Sequence, residues 1–249
     1  MKTNFKKIIY PIIAVFAWLF IWELIAQIVG EKLILPGIIP TISAFLNILQ
    51  KSNFYLSVIF TLLRITVGFL CGSLIAFLLA TVSYKIEVVK VIISPFMTLV
   101  KAVPVASFIM IVWIMAGSDS VPTIISALMV LPIVYHNTLS GLNSIDKELY
   151  ELCKIFKLTA KERFEFLYFP SLLKYVIPAF VSTSSLAWKA GVAAEIIAYT
   201  ANSIGKEIYF AKADFEIAEM FAWTFVVIII SLLIEFGIKK AFGRFLKND

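Results

Sequence analysis

Five charged side chains stand inside long apolar runs of this sequence: Glu23, Arg64, Lys101, Lys189 and Glu195. An unpaired charge in hydrocarbon costs at least about 2.5–3.5 kcal/mol, so such residues face partners, water or a passing ion. The chemistry open to them is recognition and passage of a charged solute. Lys101 lies three residues before Pro104. A proline-broken helix frees backbone carbonyls that, with a lysine, can line a water-filled path. Lys189 and Glu195 are six residues apart and do not share a helix face, so each requires water or a partner elsewhere. Glu23 and Arg64 lie near the outer ends of their runs, where snorkelling suits both. The lone histidine, His136, sits between Tyr135 and Asn137 in an apolar run and reads as hydrogen-bonded packing.

Bond-making chemistry finds no support. Gly205-Lys206 is the nearest thing to a phosphate loop, but the glycine five positions earlier is missing and Glu207 replaces the Ser or Thr that would bind magnesium. Cys71 and Cys153 fit neither a disulfide framework nor a metal-ligand spacing, so both read as structural thiols.

The elements that must position these charges are membrane spans. The 249 residues are 61% hydrophobic and only 15% charged, against about 25% charged in soluble domains. Mean hydropathy is +0.97. Most of this surface must therefore meet lipid. The net charge of +6 is spread over connections instead of one basic face, which argues against nucleic acid.

About 20 apolar residues cross the hydrocarbon core. The pattern predicts an all-α integral membrane protein with six spans, over residues 8–29, 55–84, 91–116, 121–142, 175–199 and 220–238. The first resembles a signal peptide in its basic start, yet no small-residue cleavage site follows. Pro36 and Pro40 are expected to interrupt any long helix in the connection after it, and Pro95 and Pro104 to kink or break the third span. Gly68 and Gly72 form a small-xxx-small pattern suited to close helix approach, including at a dimer face. Tyr10, Trp18, Trp22, Trp113, Trp188 and Trp223 read as interfacial belt or packing residues. Fifteen Lys and Arg fall in connections on the side of the termini and four on the other, which places both termini on the cytoplasmic side.

One long connection, residues 143–174, is charged and amphipathic. It carries six basic and five acidic residues between positions 146 and 174. Leu149, Leu152, Cys153 and Phe156 form one helical stripe, and Phe164, Leu167 and Tyr168 another. Thr159 with Glu162 three residues on is a capping-box pattern that starts the second helix. A lipid-seeking surface helix would be mostly basic, whereas this loop is nearly balanced. The pattern suits docking on a protein.

The loop resembles the cytoplasmic coupling loop of permease subunits of binding-protein-dependent ATP-binding-cassette importers. Their signature is Glu-Ala-Ala, three residues, Gly, nine residues, then a segment ending in Leu-Pro. Here Glu151, Leu152 and Cys153 take the first positions, Lys157 the glycine position, and 167–170 the end, with Leu167 first and Pro170 last. TLLRITVGF near Arg64, SPFMTLVKAVPVASF around Pro104 and SLAWKAGVAAEIIA near Glu195 extend the resemblance over about 54–235. The last stretch is most similar to the branch importing sulfonates, nitrate, taurine or pyrimidine precursors.

The resemblance implies a type I importer permease fold and a homodimer with its pathway at the subunit interface. It also implies partner ATPase subunits that hold ATP and Mg, and an extracytoplasmic substrate-binding protein. No cofactor would be bound by this chain, which would not itself be an enzyme. Residues 1–53 would form the first span and an external connection, 54–238 the permease core, and 239–249 a cytoplasmic tail. Glu151 would orient the coupling helix, Leu152 and Cys153 would pack on the ATPase, and Pro170 would end the second loop helix. With Lys157 in place of glycine the turn would need another geometry, although a left-handed conformation at about 1 kcal/mol is tolerable there. Lys101, Pro104, Trp188, Lys189 and Glu195 would line the pathway, with the two lysines favouring an anion. The rival readings are an ion-coupled carrier, for which the inverted repeats of that class are missing, and a membrane scaffold without transport.

Overall fold

A computed structural model describes the backbone of residues 2–246 and the side chains of Tyr10 and residues 13–243. The cationic side chains of Lys2, Lys6 and Lys7 and those of Arg244 and Lys247, used for the orientation, lie outside the described side chains. Among the described residues every regular element is helical. The order is α1 (Lys2–Val29), α2 (Ile38–Leu49), α3 (Asn53–Lys85), α4 (Glu87–Ala102), α5 (Val105–Ala116), α6 (Val121–Asn143), α7 (Lys147–Ile155) and α8 (Ala160–Arg163). A π-helical turn (Phe164–Tyr168), α9 (Phe169–Ala198), α10 (Ile204–Ala213) and α11 (Ile217–Leu246) complete it.

Of the six expected spans, the first (8–29) lies partly outside the described side chains, and the other five fall on described helices. Among the described residues four helices are long and apolar enough to cross a bilayer singly: α3, α6, the continuous run from α8 through α9, and α11. The apolar pair α4 and α5 is bent by 107°, the geometry of a broken span or of a re-entrant loop. The break falls where Val103, held extended by the following proline, leads into Pro104 at the start of α5. The described apolar part of α1, Ile13–Val29, is shorter than these spans.

The connection after α1 is also more ordered than Pro36 and Pro40 suggested, because α2 occupies 12 of its residues. Pro40 falls in the first turn, where its missing N–H would have had no helical partner. The carboxylate of Glu23 accepts a 2.8 Å hydrogen bond from the Ile38 N–H, which ties the start of α2 to α1. Glu23 is therefore a cap, not a snorkelling side chain.

The centre of the fold is the packing of α3, α6 and α9. Lipid offers apolar side chains no less than a protein core does, so association of spans rests on close fit and small residues. A Cβ added at Gly68 would lie 2.2 Å from the Thr123 carbonyl oxygen, and one at Gly72 2.6 Å from that of Ala127. The small-xxx-small pattern is thus used inside the chain, between α3 and α6, and not at a dimer face. Gly191 brings α9 in the same way against Ile65 and Ser126. Trp188 and Trp223 are fully buried in this core, with the Trp188 indole donating a 3.0 Å hydrogen bond to the Val227 carbonyl of α11.

Candidate functional site

The loop after α6 is built from local signals that succeed one another. Asp146 caps α7 by accepting a hydrogen bond from the Glu148 N–H at 2.8 Å. At the other end the Lys157 N–H bonds to the Lys154 carbonyl and the Leu158 N–H to that of Cys153, both at 3.0 Å. These two bonds form a Schellman closure, which demands a left-handed residue between them. Lys157 supplies it at φ 53°. The position where the family signature has glycine therefore keeps the glycine backbone conformation with a lysine in it.

Thr159 then starts α8 with the expected capping box. Its hydroxyl accepts from the Glu162 N–H at 3.3 Å, and its own N–H donates to the Glu162 carboxylate at 2.7 Å.

Pro170 does not end the second loop helix, contrary to expectation. The helix from Ala160 runs on to Ala198 over 39 residues. The turn before the proline widens to π geometry, with the Phe169 N–H bonding to the Phe164 carbonyl. A proline at position 170 cannot donate to the carbonyl of Phe166, and the widened turn absorbs that mismatch. The part of the loop from Ala160 onward and the span beyond it form one rod, with α7 set before it across the turn at Lys157.

The loop presents an apolar face. Leu152 is 46% exposed, Phe156 73% and Ile155 likewise open, whereas Cys153 is buried at 9% and so is Leu167 of the second stripe. Cys153 and Tyr150 lie within electrostatic range of Tyr168 on the π turn. Of the pair expected to pack on a partner, only Leu152 is available. Glu151 is exposed, and among the described residues its carboxylate makes no hydrogen bond.

At the opposite end of α9 the charges find long-range partners. Glu195 is fully buried. Its Oε2 accepts from the Thr61 hydroxyl of α3 at 2.9 Å and from the Gly205 N–H at 3.2 Å. Thr61 in turn accepts from the Ile204 N–H at 3.0 Å, so the carboxylate and the threonine together satisfy the first turn of α10. Ser203 completes the cap through the Lys206 N–H. Arg64 is 3.7 Å from Asp119 and donates to the Asn202 carbonyl at 3.3 Å, with Phe60 beneath its guanidinium. It joins three elements and does not snorkel. Thr61, Asp119 and α10 were missed by sequence reasoning, because only the fold brings them beside Glu195 and Arg64. The one local signal was Ser203 followed three residues on by an N–H to cap.

The structure separates the remaining candidates. Lys101 and Pro104 are exposed at the α4–α5 break, and Lys101 lies within electrostatic range of His136 on α6. Lys189 is exposed on α9, in line with exposed Ser182 and Leu186 at helical spacing. It lies within electrostatic range of Glu235 on α11. Trp188 and Glu195 are interior to the single chain.

Comparisons with known proteins agree with this architecture. The chain is 25% identical to a putative ABC transporter permease protein of Methanocaldococcus jannaschii over 253 aligned residues, covering 96% of this chain and 91% of that protein. It is 20% identical to the putative aliphatic sulfonates transport permease protein of Bacillus subtilis, covering 91% and 83%. It is 24% identical to the nitrate import permease protein of Synechococcus elongatus, covering 72% and 68%. Residues 68–244 match the family described as binding-protein-dependent transport system inner membrane component. With its apolar spans, its bent α4–α5 pair and a charged helical loop leading into the α8–α9 rod, this all-α chain belongs to that family, the permease components of ABC importers.

Proposed function

We propose that this permease carries a small anion of the sulfonate or nitrate class across the membrane. Energy comes from separate ATPase subunits, which hold ATP and Mg, and solute from an extracytoplasmic binding protein. Two copies of the chain enclose the path. The observation that supports the coupling part of this reading is the 39-residue helix Ala160–Ala198, which starts directly after the turn that closes the exposed α7 and ends beside Glu195. Leu152, Ile155 and Phe156 form the apolar anchor for an ATPase groove, with Glu151 at its edge. A push on that anchor moves a rod instead of a flexible connection, and the rod reaches the outer junction with α3 and α10.

The substrate part rests on Lys101 and Lys189, the exposed cations on the broken crossing and on α9. They supply the positive field that an anion needs in a low-dielectric path. Sulfonate and nitrate permeases among the relatives are consistent with such a cargo. Trp188 and Glu195 support the path from behind by fixing α9. The loop and both termini lie on the cytoplasmic side, following the distribution of Lys and Arg in the connections.

The test is reconstitution with the ATPase and binding protein, measuring ATP-dependent uptake of an alkanesulfonate and of nitrate. Phe156→Asp should release the ATPase and abolish uptake. Lys101→Gln with Lys189→Gln should keep the ATPase bound while uptake of the anion falls about tenfold or more. Uptake that follows an ion gradient without ATP would overturn the coupling reading, and unchanged anion uptake in the double variant would overturn the substrate reading.

A further inference from the structure

Where α3 ends, a cleft of about 380 Å³ separates it from α8 and the π turn. The charged residues lining it are two cations, Lys85 in the last turn of α3 and Arg163 at the end of α8. Among the described residues no carboxylate forms an ion pair with either. The Arg163 Nε is buried without a hydrogen-bond partner. A buried charged donor left unpaired is costly, so an acceptor belongs here. Tyr84 and Tyr168 add phenolic groups to the same cleft, while Phe77, Phe164 and Leu172 give it an apolar wall. The π turn that shapes one side is a form of helix found at binding sites.

We propose that this cleft binds the headgroup of an anionic phospholipid. Its phosphate would lie against Arg163 and Lys85, and its glycerol and first acyl carbons along Phe77, Phe164 and Leu172. The fork of an arginine suits a phosphate oxygen pair, and the second cation favours a headgroup with net negative charge. The apolar wall and the location, where the spanning part of α3 gives way to Lys85, select a lipid over a free phosphate ion. Bound there, the lipid would bridge α3 and the base of the coupling rod. The inference needs the membrane-spanning fold but not the proposed cargo.

Native mass spectrometry of the full chain in detergent tests it, with phosphatidylglycerol, phosphatidylcholine and inorganic phosphate added separately and in competition. The expected result is a preference of about tenfold or more for phosphatidylglycerol over phosphatidylcholine, as one or two interfacial cations provide. That preference should vanish in Arg163→Gln and shrink in Lys85→Gln, and millimolar phosphate should not displace the lipid. Equal retention of the two lipids by the unsubstituted chain, which requires no variant to fold, would overturn the proposal. So would a preference that survives both substitutions, and full displacement by inorganic phosphate would overturn the assignment to lipid.

Discussion

The two ends of the α8–α9 rod are held in opposite ways. At the loop end, the side-chain caps of α7 and α8 join residues two or three positions apart at exposed sites. At the outer end, Glu195 is bonded to Thr61, 134 residues away, and Thr61 to Ile204, 143 residues away, with all three buried. Local bonds let the loop hold its shape independently of the rest of the fold. Long-range bonds weld α3, α9 and α10 into one block. In the function proposed above, the loop end is therefore the part that is pushed, and the far end the part that passes displacement to the span packing.

If this contrast holds, substitutions in the welded part should cost far more stability than those in the loop. The largest effect is expected from Gly68→Ala, whose new Cβ would meet the backbone oxygen of Thr123 at 2.2 Å. Overpacking of this kind costs about 1–3 kcal/mol or more, and a carbonyl in a helix cannot give way cheaply. Thermal unfolding in detergent should show a large drop in midpoint or loss of folded protein.

Glu195→Leu should follow, at about 1–3 kcal/mol, because it leaves the Thr61 hydroxyl and Gly205 N–H buried without their acceptor. Glu195→Gln keeps an acceptor oxygen and should recover much of the loss. Equal losses in the two variants would mean that packing, not hydrogen bonding, holds the junction.

In the loop, Thr159→Ala should cost about 1 kcal/mol of local stability, read as faster amide hydrogen exchange across 160–163 with little change in global midpoint. Lys157→Gly should act in the other direction and slow exchange at the end of α7, since glycine reaches φ 53° without strain. A global destabilisation by either would break the contrast.

The smallest effect concerns Glu207 on α10. Burial holds its carboxyl above the usual carboxylate range, against the pull of Lys51 and with a push from Glu219. A raised folded-state value favours the protonated form, so this contribution is full below the usual carboxylate value and is lost as pH rises through the raised one. The unfolding midpoint should decline slightly across that window, and Glu207→Gln should remove the decline.

The same contrast explains what could be read from the sequence. The capping box at Thr159, the left-handed residue at Lys157 and the break at Pro104 all follow from neighbours in the chain, and each was legible. The partners of Glu195 and Arg64 were not, since nothing within a few residues of either announces Thr61, Gly205 or Asp119. Gly68 and Gly72 were visible as a close-approach pattern, but the partner helix is set by the fold and is α6 instead of a second subunit. Cys153 lay on the right helical stripe, yet a stripe has two edges, and the one turned to Tyr168 is covered. Pro170 misled for a different reason: a proline stops an α-helix but not one that widens just before it.

That widened turn also sets an angular phase. A π turn accommodates one residue more than the α-helical path through the same rise, and each residue of an α-helix turns the chain by about 100°. Removing one residue from 164–168 would let the segment close into regular α-helix and swing α7, with Leu152, Ile155 and Phe156, about a quarter-turn around the rod. The direction in which the loop faces its partner is thus fixed by the count of residues between Arg163 and Pro170, apart from any contact those residues make. An insertion or deletion there should act as a miskeyed shaft, leaving both ends folded while the two no longer engage.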